Sequence, residues 1–204
     1  MVAANPETID EWWRKAASKE ENHVKRITPD FYTYDIPTGL AWDLVPQIDE
    51  RIIWTNVCDW LSANMTTVSQ PQRADVVSGG AYYIRAKSRP DFYWVASGKS
   101  NEKDHICLSN QGRTRFIFNI ENDRETDKKG TVIIGSDFIT ITAVDSKHVG
   151  VSDTGALLLQ AHSERMVYKD LKNRFLAQGW SSDYNDGASV TEVDGYGEEW
   201  ELVQ

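Results

Sequence analysis

The stretch Trp180-Ser181-Ser182-Asp183-Tyr184-Asn185-Asp186-Gly187 gathers aromatic and oxygen-bearing side chains in one place. An exposed aromatic can stack on the apolar face of a sugar ring while Asp and Asn accept its hydroxyl protons. Trp180, Asp183, Tyr184, Asn185 and Asp186 are therefore the candidate ligand-binding residues. A simple turn is the competing use, because Asp, Asn and Gly are turn formers. The same oxygens superficially fit a calcium loop, but the bidentate Glu that such a loop needs downstream is missing at the required spacing.

Other chemistry-bearing residues form no constellation. His23, His105, His148 and His162 occur singly, with no His-x-x-x-His pair, so no metal site is legible and no cofactor is expected. Asp153-Thr154-Gly155 could offer a catalytic carboxylate, but paired-carboxylate chemistry needs a second copy, and Asp and Gly suit a turn. Ser78-Gly79-Gly80 reads as a hinge into a strand, and no serine has the strand–turn–helix setting of a nucleophile elbow. Cys58 and Cys107 make no Cys-x-x-Cys pair, which removes zinc and thioredoxin-like readings and leaves buried thiols or a disulfide. With no catalytic signature, binding is expected ahead of catalysis.

Composition narrows the partners. The 204 residues suit one domain, or one domain with a helical appendage. Eight Trp and eight Tyr are a rich aromatic supply, most of it expected in the core. A solvent-facing cluster of them would favour sugar stacking, and complete burial would favour a protein partner. The net charge is −9, and no Lys or Arg follows Arg174, while Asp183, Asp186, Glu192, Asp194, Glu198, Glu199 and Glu201 do. An acidic pole of this kind argues against nucleic acid, which calls for a clustered basic face. The N-terminus lacks a basic and apolar secretory leader, and no run reaches the ~20 apolar residues of a membrane span. A cytoplasmic protein is expected, or a secreted form whose leader was removed.

Those residues must be held by elements. Asn5 as N-cap, Pro6 in the first turn and apolar Ile9, Trp13, Ala16, Ala17, Val24 and Ile27 predict a helix over 5–27. Pro29, Pro37 and Pro46 with Phe31, Tyr32, Tyr34 and Trp42 predict an extended aromatic loop over 28–46. Ile53, Val57, Trp60 and Leu61 predict a second helix over 47–65, and the polar run 66–73 makes a boundary. Domains of 1–72 and 73–204 follow. The second is nearly all β, with short strands at Ala81–Ala86, Phe92–Ala96, His105–Ser109, Arg115–Ile120, Thr131–Ile134 and Phe138–Ile141. Further strands fall at Val149–Val151, Ala156–Leu159, Arg165–Tyr168, Arg174–Ala177, Ser189–Val193 and Glu199–Val203.

An approximate threefold repeat runs through these strands. Trp94–Ser97, Val149–Ser152 and Phe175–Gln178 are followed by Ile106–Leu108, Leu157–Leu159 and Val190–Val193. The closing strands Thr114–Phe118, Glu164–Tyr168 and Glu199–Leu202 come after them. With this pattern, Gly79 to Gln204 resembles the β-trefoil superfamily, nearest to fascin-like and ricin-B-like repeats. The resemblance implies a six-stranded barrel capped by three hairpins, so the expected fold is mostly β, a β-trefoil with an N-terminal helical and aromatic-loop extension. The first strand of the third unit would fall in Lys169–Lys172, or in Met166–Asp170 if Thr131–Ile134 opens the second unit.

The Gln-x-Trp signature of ricin-B-like lectins appears as Gln178-Gly179-Trp180 at the end of a middle strand, and the closing strand reads Glu198-Glu199-Trp200. The implied function is a non-catalytic binding module, carbohydrate-binding first. A fascin-like protein-interaction module is the alternative, as is a protease inhibitor acting through Gly98–Asp104 or Glu121–Lys129.

Overall fold

The computed structural model describes residues 2–3, 5–19, 24–29, 31–34, 48, 51–53, 75–97, 105–121, 129–143, 146–177 and 187–204. The chain divides into two compact units, Met1–Asp75 and Val76–Gln204.

In the first unit, α1 spans Pro6–Ala17. Its N-terminus is capped by Asn5, whose Oδ1 accepts from the Thr8 amide at 2.9 Å and the Thr8 hydroxyl at 2.8 Å. Thr8, Trp12 and Ala16 form its buried stripe. The stripe expected through Trp13 is thus rotated by one residue, with Trp13 half-buried beside it. The helix expected to run to residue 27 ends at Ala17, where the Ser18 hydroxyl turns back onto the Lys15 carbonyl.

Strand β2, Val24–Thr28, replaces its last turns and pairs antiparallel with β3, Phe31–Tyr34, inside the expected loop. Val24 and Ile27 mimic helical spacing, but Ile27 is exposed while Val24 and Arg26 point inward, the alternation of a strand. Arg26, with 4% of its side chain exposed, fixes that register. It donates to both Asp75 carboxylate oxygens, to Asp10 and to the Tyr32 hydroxyl. Burial works against its charge, yet Asp75, Tyr32 and Asp10 outweigh burial and hold its pKa above the ordinary value.

A further short pair joins β1, Val2–Ala3, to β4, Ile52–Ile53. Ile52 and Ile53 are therefore strand, not the expected helix; two adjacent β-branched residues with an available partner strand favour the extended form. Residues 54–65 lie outside the described residues.

The second unit is an eleven-stranded antiparallel sheet. Its first strands are β5 (Gly80–Ala86), β6 (Tyr93–Ser97), β7 (His105–Ser109) and β8 (Phe116–Ile120). Next come β9 (Phe138–Ala143), β10 (His148–Val151), β11 (Leu157–Gln160) and β12 (Met166–Val167). A helical turn, α2 (Tyr168–Leu171), precedes β13 (Phe175–Ala177), β14 (Ala188–Glu192) and β15 (Trp200–Val203).

The expectation of a β-trefoil is corrected by how this sheet closes. Its hydrogen-bonded circuit passes through seven strands, β5–β6–β7–β11–β10–β9–β8 and back to β5, with β12, β13, β14 and β15 as four outer strands. Leu158 pairing with His105 brings the hairpins β6–β7 and β10–β11 into the ring, so they are walls and not caps. The strand expected within Met166–Lys172 is only two residues long before the chain turns helical, and Tyr168 and Leu171, three apart, bury one face of that turn. The expected strand Thr131–Ile134 is reduced to one bridge, Val132 to Val77. The N-terminal helical and aromatic-loop extension is corrected where it is described: the first helix is shortened to Pro6–Ala17, and Val24–Thr28 and Phe31–Tyr34 are paired strands, while 35–47 lies outside the described residues.

The core of this unit is aromatic at its centre. Trp94 is fully buried and meets Phe116, Phe175 and Trp200 edge-on, at 6.3, 5.8 and 5.4 Å between centroids. The Trp200 indole N–H donates to the Phe175 carbonyl at 2.9 Å, tying the last strand to β13. Asp153-Thr154-Gly155 forms the turn between β10 and β11, with Gly155 at φ 81° and the Ser152 hydroxyl accepting from the Ala156 amide. That is the turn use expected of it.

Candidate binding surface

Trp180, Asp183, Tyr184, Asn185 and Asp186, in the connection between β13 and β14, lie outside the described residues, as do His23, Cys58, Gly98–Asp104 and 122–128. Cys107 sits half-buried on β7. His148 Nδ1 lies 3.1 Å from the Thr142 hydroxyl across the β9–β10 ladder. Among the described residues no three His, Cys, Asp or Glu side chains come together as a metal-binding group. No described helix is long and apolar enough to cross a membrane.

The structure instead assembles a cluster on the outer face of β5 and β6. Tyr82, Ile84 and Ala86 point into the core, so Tyr83 and Arg85 must point outward. Arg85 lies opposite Tyr93 at the start of β6, and β15 runs along the other edge with Glu201 opposite Arg85 and Val203 opposite Tyr83. The two tyrosine rings stand edge to face, 6.4 Å apart.

Arg113 and Arg115 reach this cluster from the connection between β7 and β8. Thr114 between them faces the sheet: its amide donates to the Trp94 carbonyl at 3.0 Å and its hydroxyl accepts from the Ala96 amide at 2.8 Å. With the middle residue pinned inward, its neighbours are turned to the same outer side. The Arg113 guanidinium carbon lies 4.3 Å from the Tyr83 ring centroid and 5.8 Å from that of Tyr93, and Arg115 lies 5.8 Å from Tyr83. These are cation–π distances.

The charges of the cluster differ in kind. Arg85 donates from Nε to Glu201 at 2.7 Å. Burial lowers its pKa, but hydrogen bonds with Glu201 and Tyr93 outweigh burial and raise it. Its charge is thus matched in place. Arg113 and Arg115 make no ion pair with any described residue. The acidic tail expected to form a pole is partly neutralised: Glu192 meets Arg174, Glu199 meets Lys87 and Glu201 meets Arg85. Another aromatic–arginine contact of this unit, Arg165 over Phe138 at 3.6 Å, already has Glu121 3.9 Å from Arg165.

Sequence reasoning passed over Tyr83, Arg85, Tyr93, Arg113 and Arg115. Their signal was the alternation in Ala81–Ala86, which assigns Tyr83 and Arg85 to the outer face, and the Arg-Thr-Arg triplet with a threonine between two cations. Comparison with known proteins adds no relative, since no family model, no curated protein and no solved structure matches the chain.

Proposed function

We propose that the chain is a non-catalytic binding protein that takes a carbohydrate on the outer face of β5 and β6. The observation that carries this reading is the pair of half-buried tyrosines, rings 6.4 Å apart, ringed by arginines on a hydrogen-bonded wall. A sugar ring needs an apolar face to lie on and polar groups around its edge, held without much freedom to lose on binding. Tyr93 supplies the first, the guanidiniums gathered at Tyr83 and the tyrosine hydroxyls the second, and the β5–β15 and β6–β7 ladders the rigidity. Trp180, Asp183, Tyr184, Asn185 and Asp186 join the proposal as a second contact segment.

The test is a glycan array probed with the intact chain and with Tyr83→Ala, Tyr93→Ala and Trp180→Ala, the fold of each checked by circular dichroism. A glycan bound by the wild type and lost in the two tyrosine variants is expected. A silent array, or binding indifferent to both tyrosines, overturns the proposal.

Protein interaction is the second reading, and the same residues favour it, because Tyr and Arg are enriched where interfaces concentrate their energy. It predicts a co-purifying protein released by salt and by the Tyr83→Ala change, with no glycan bound.

A further inference from the structure

We infer that the ligand of this surface is an anionic glycan, with its sulfate or carboxylate groups held by Arg113 and Arg115. The inference rests on the carbohydrate reading and specifies its substrate class.

Charge matching is the first argument. In the barrel unit, Arg85, Arg165 and Arg174 each lie near a carboxylate of the same chain, as does Lys87. Arg113 and Arg115 make no ion pair with any described residue, although the protein carries a net charge of −9. Both cations are exposed, both approach the Tyr83 ring, and neither has a carboxylate of the described residues beside it, so a bound anion would supply the missing counter-charge.

The ring geometry favours an anion as well. A guanidinium over a ring uses its flat face there, and its N–H donors lie in its own plane, where they can fork onto a sulfate or carboxylate. The Tyr83 ring is approached by both Arg113 and Arg115, so a neutral sugar would have to displace a cation to stack on it. An anionic sugar uses those cations instead and lays its ring against Tyr93, whose nearest guanidinium contact is the longer 5.8 Å from Arg113. Two cations are too few for the phosphate lattice of a duplex on so acidic a protein. A sparse alternation of ring and charge fits a chain of acidic sugars better.

The experiment is isothermal titration of the intact chain with three oligosaccharides: a heparin-type sulfated one, an oligogalacturonate that carries carboxylates only, and a neutral cello-oligosaccharide. An acidic Glu/Asp peptide is the fourth titrant. The inference expects binding of one or both anionic sugars, weakened by added salt, and little binding of the neutral one. The comparison of sulfated and carboxylated arms identifies the anionic group. Arg113→Gln with Arg115→Gln should weaken binding roughly tenfold or more per lost charge-assisted contact. Arg113→Lys with Arg115→Lys should keep the salt dependence but lose part of the affinity, because the point charge survives and the fork does not. Neutral-sugar binding that ignores the Gln changes but is lost in Tyr93→Ala overturns this inference and leaves the carbohydrate reading standing. Binding of the acidic peptide alone overturns both.

Discussion

Arg85 and Glu201 face each other across the ladder between β5 and β15, with the Arg85 Nε 2.7 Å from a Glu201 carboxylate oxygen. The pair joins the first strand of the barrel unit to its last and fixes the position of Arg85 beside Tyr93. Because both partners are about a third exposed, the ion pair itself is a weak stabiliser, about 0.2–1 kcal/mol. Glu201→Gln should therefore lower stability by no more than about 1 kcal/mol in urea titration while leaving Arg85 without a carboxylate. If Arg85 then competes for the ligand anion, affinity should rise. An affinity loss would mean that Glu201 itself contacts the ligand.

The neighbouring surface pair should make a small pH-dependent contribution to stability. Lys87 Nζ lies 2.6 Å from Glu199, and the hydrogen bond and charge of Lys87 hold the Glu199 carboxyl below its ordinary 4.5. A carboxyl lowered on folding contributes stability that is complete above the unfolded value and fades as pH falls through the folded one. The contribution is thus present at neutral pH, begins to fade near 4.5 and is lost as pH falls through the lower folded value. Lys87→Met should remove it, so wild type and variant should differ in unfolding midpoint at pH 7 and converge at lower pH. A difference that grows on acidification would contradict this assignment.

Two glycines two residues apart should respond differently to alanine. A Cβ at Gly197 would lie 2.5 Å from the Phe175 carbonyl oxygen, 2.7 Å from the Phe175 nitrogen and 2.9 Å from the Asn173 carbonyl oxygen, all backbone. At Gly195 a Cβ meets nothing within 4 Å, and only its φ of +130° is unfavourable. Gly195→Ala should cost on the order of 1 kcal/mol. Gly197→Ala must move β13 or the strand it leads into, and should cost clearly more, about 1–3 kcal/mol or beyond. Equal unfolding midpoints for the two variants would count against the close approach at Gly197.

The aromatic centre should dominate stability. Trp94→Ala removes a fully buried ring that touches Phe116, Phe175 and Trp200, and should cost about 3–5 kcal/mol. Chemical denaturation followed by circular dichroism reads this directly. A loss below about 1 kcal/mol would be incompatible with such packing.

How much of this was visible in the residues depends on the range of the interaction. Strands whose apolar residues alternate between turn formers were legible almost to the residue: His105–Ser109 was expected and found with the same bounds, and Phe138–Ala143 within a few residues. Strand β2 was not, because Val24 and Ile27 happen to sit at helical spacing while the residue that decides the matter, Arg26, is held by Asp75, 49 positions away. Ring closure was equally hidden. It turns on β7 meeting β11 at Leu158 and His105, and such long-range pairing leaves no periodicity in either segment.

The surface cluster has the same character. Alternation within β5 places Tyr83 and Arg85 outside, but their meeting with Tyr93, Arg113 and Arg115 depends on two strand registers and on Thr114 bonding under the loop. Local pattern drew attention to Trp180 and its polar neighbours because their chemistry is contiguous. Chemistry assembled from separate strands has no such signature.

The most direct test of the binding surface is a map of amide NMR shifts as a sulfated oligosaccharide is titrated into the intact chain. The largest changes are predicted at Tyr83, Arg85, Tyr93, Arg113, Thr114 and Arg115, residues from three separate stretches that meet on one face. Saturating shifts confined to other parts of the chain, or none at all with any of the acidic sugars, would contradict the account.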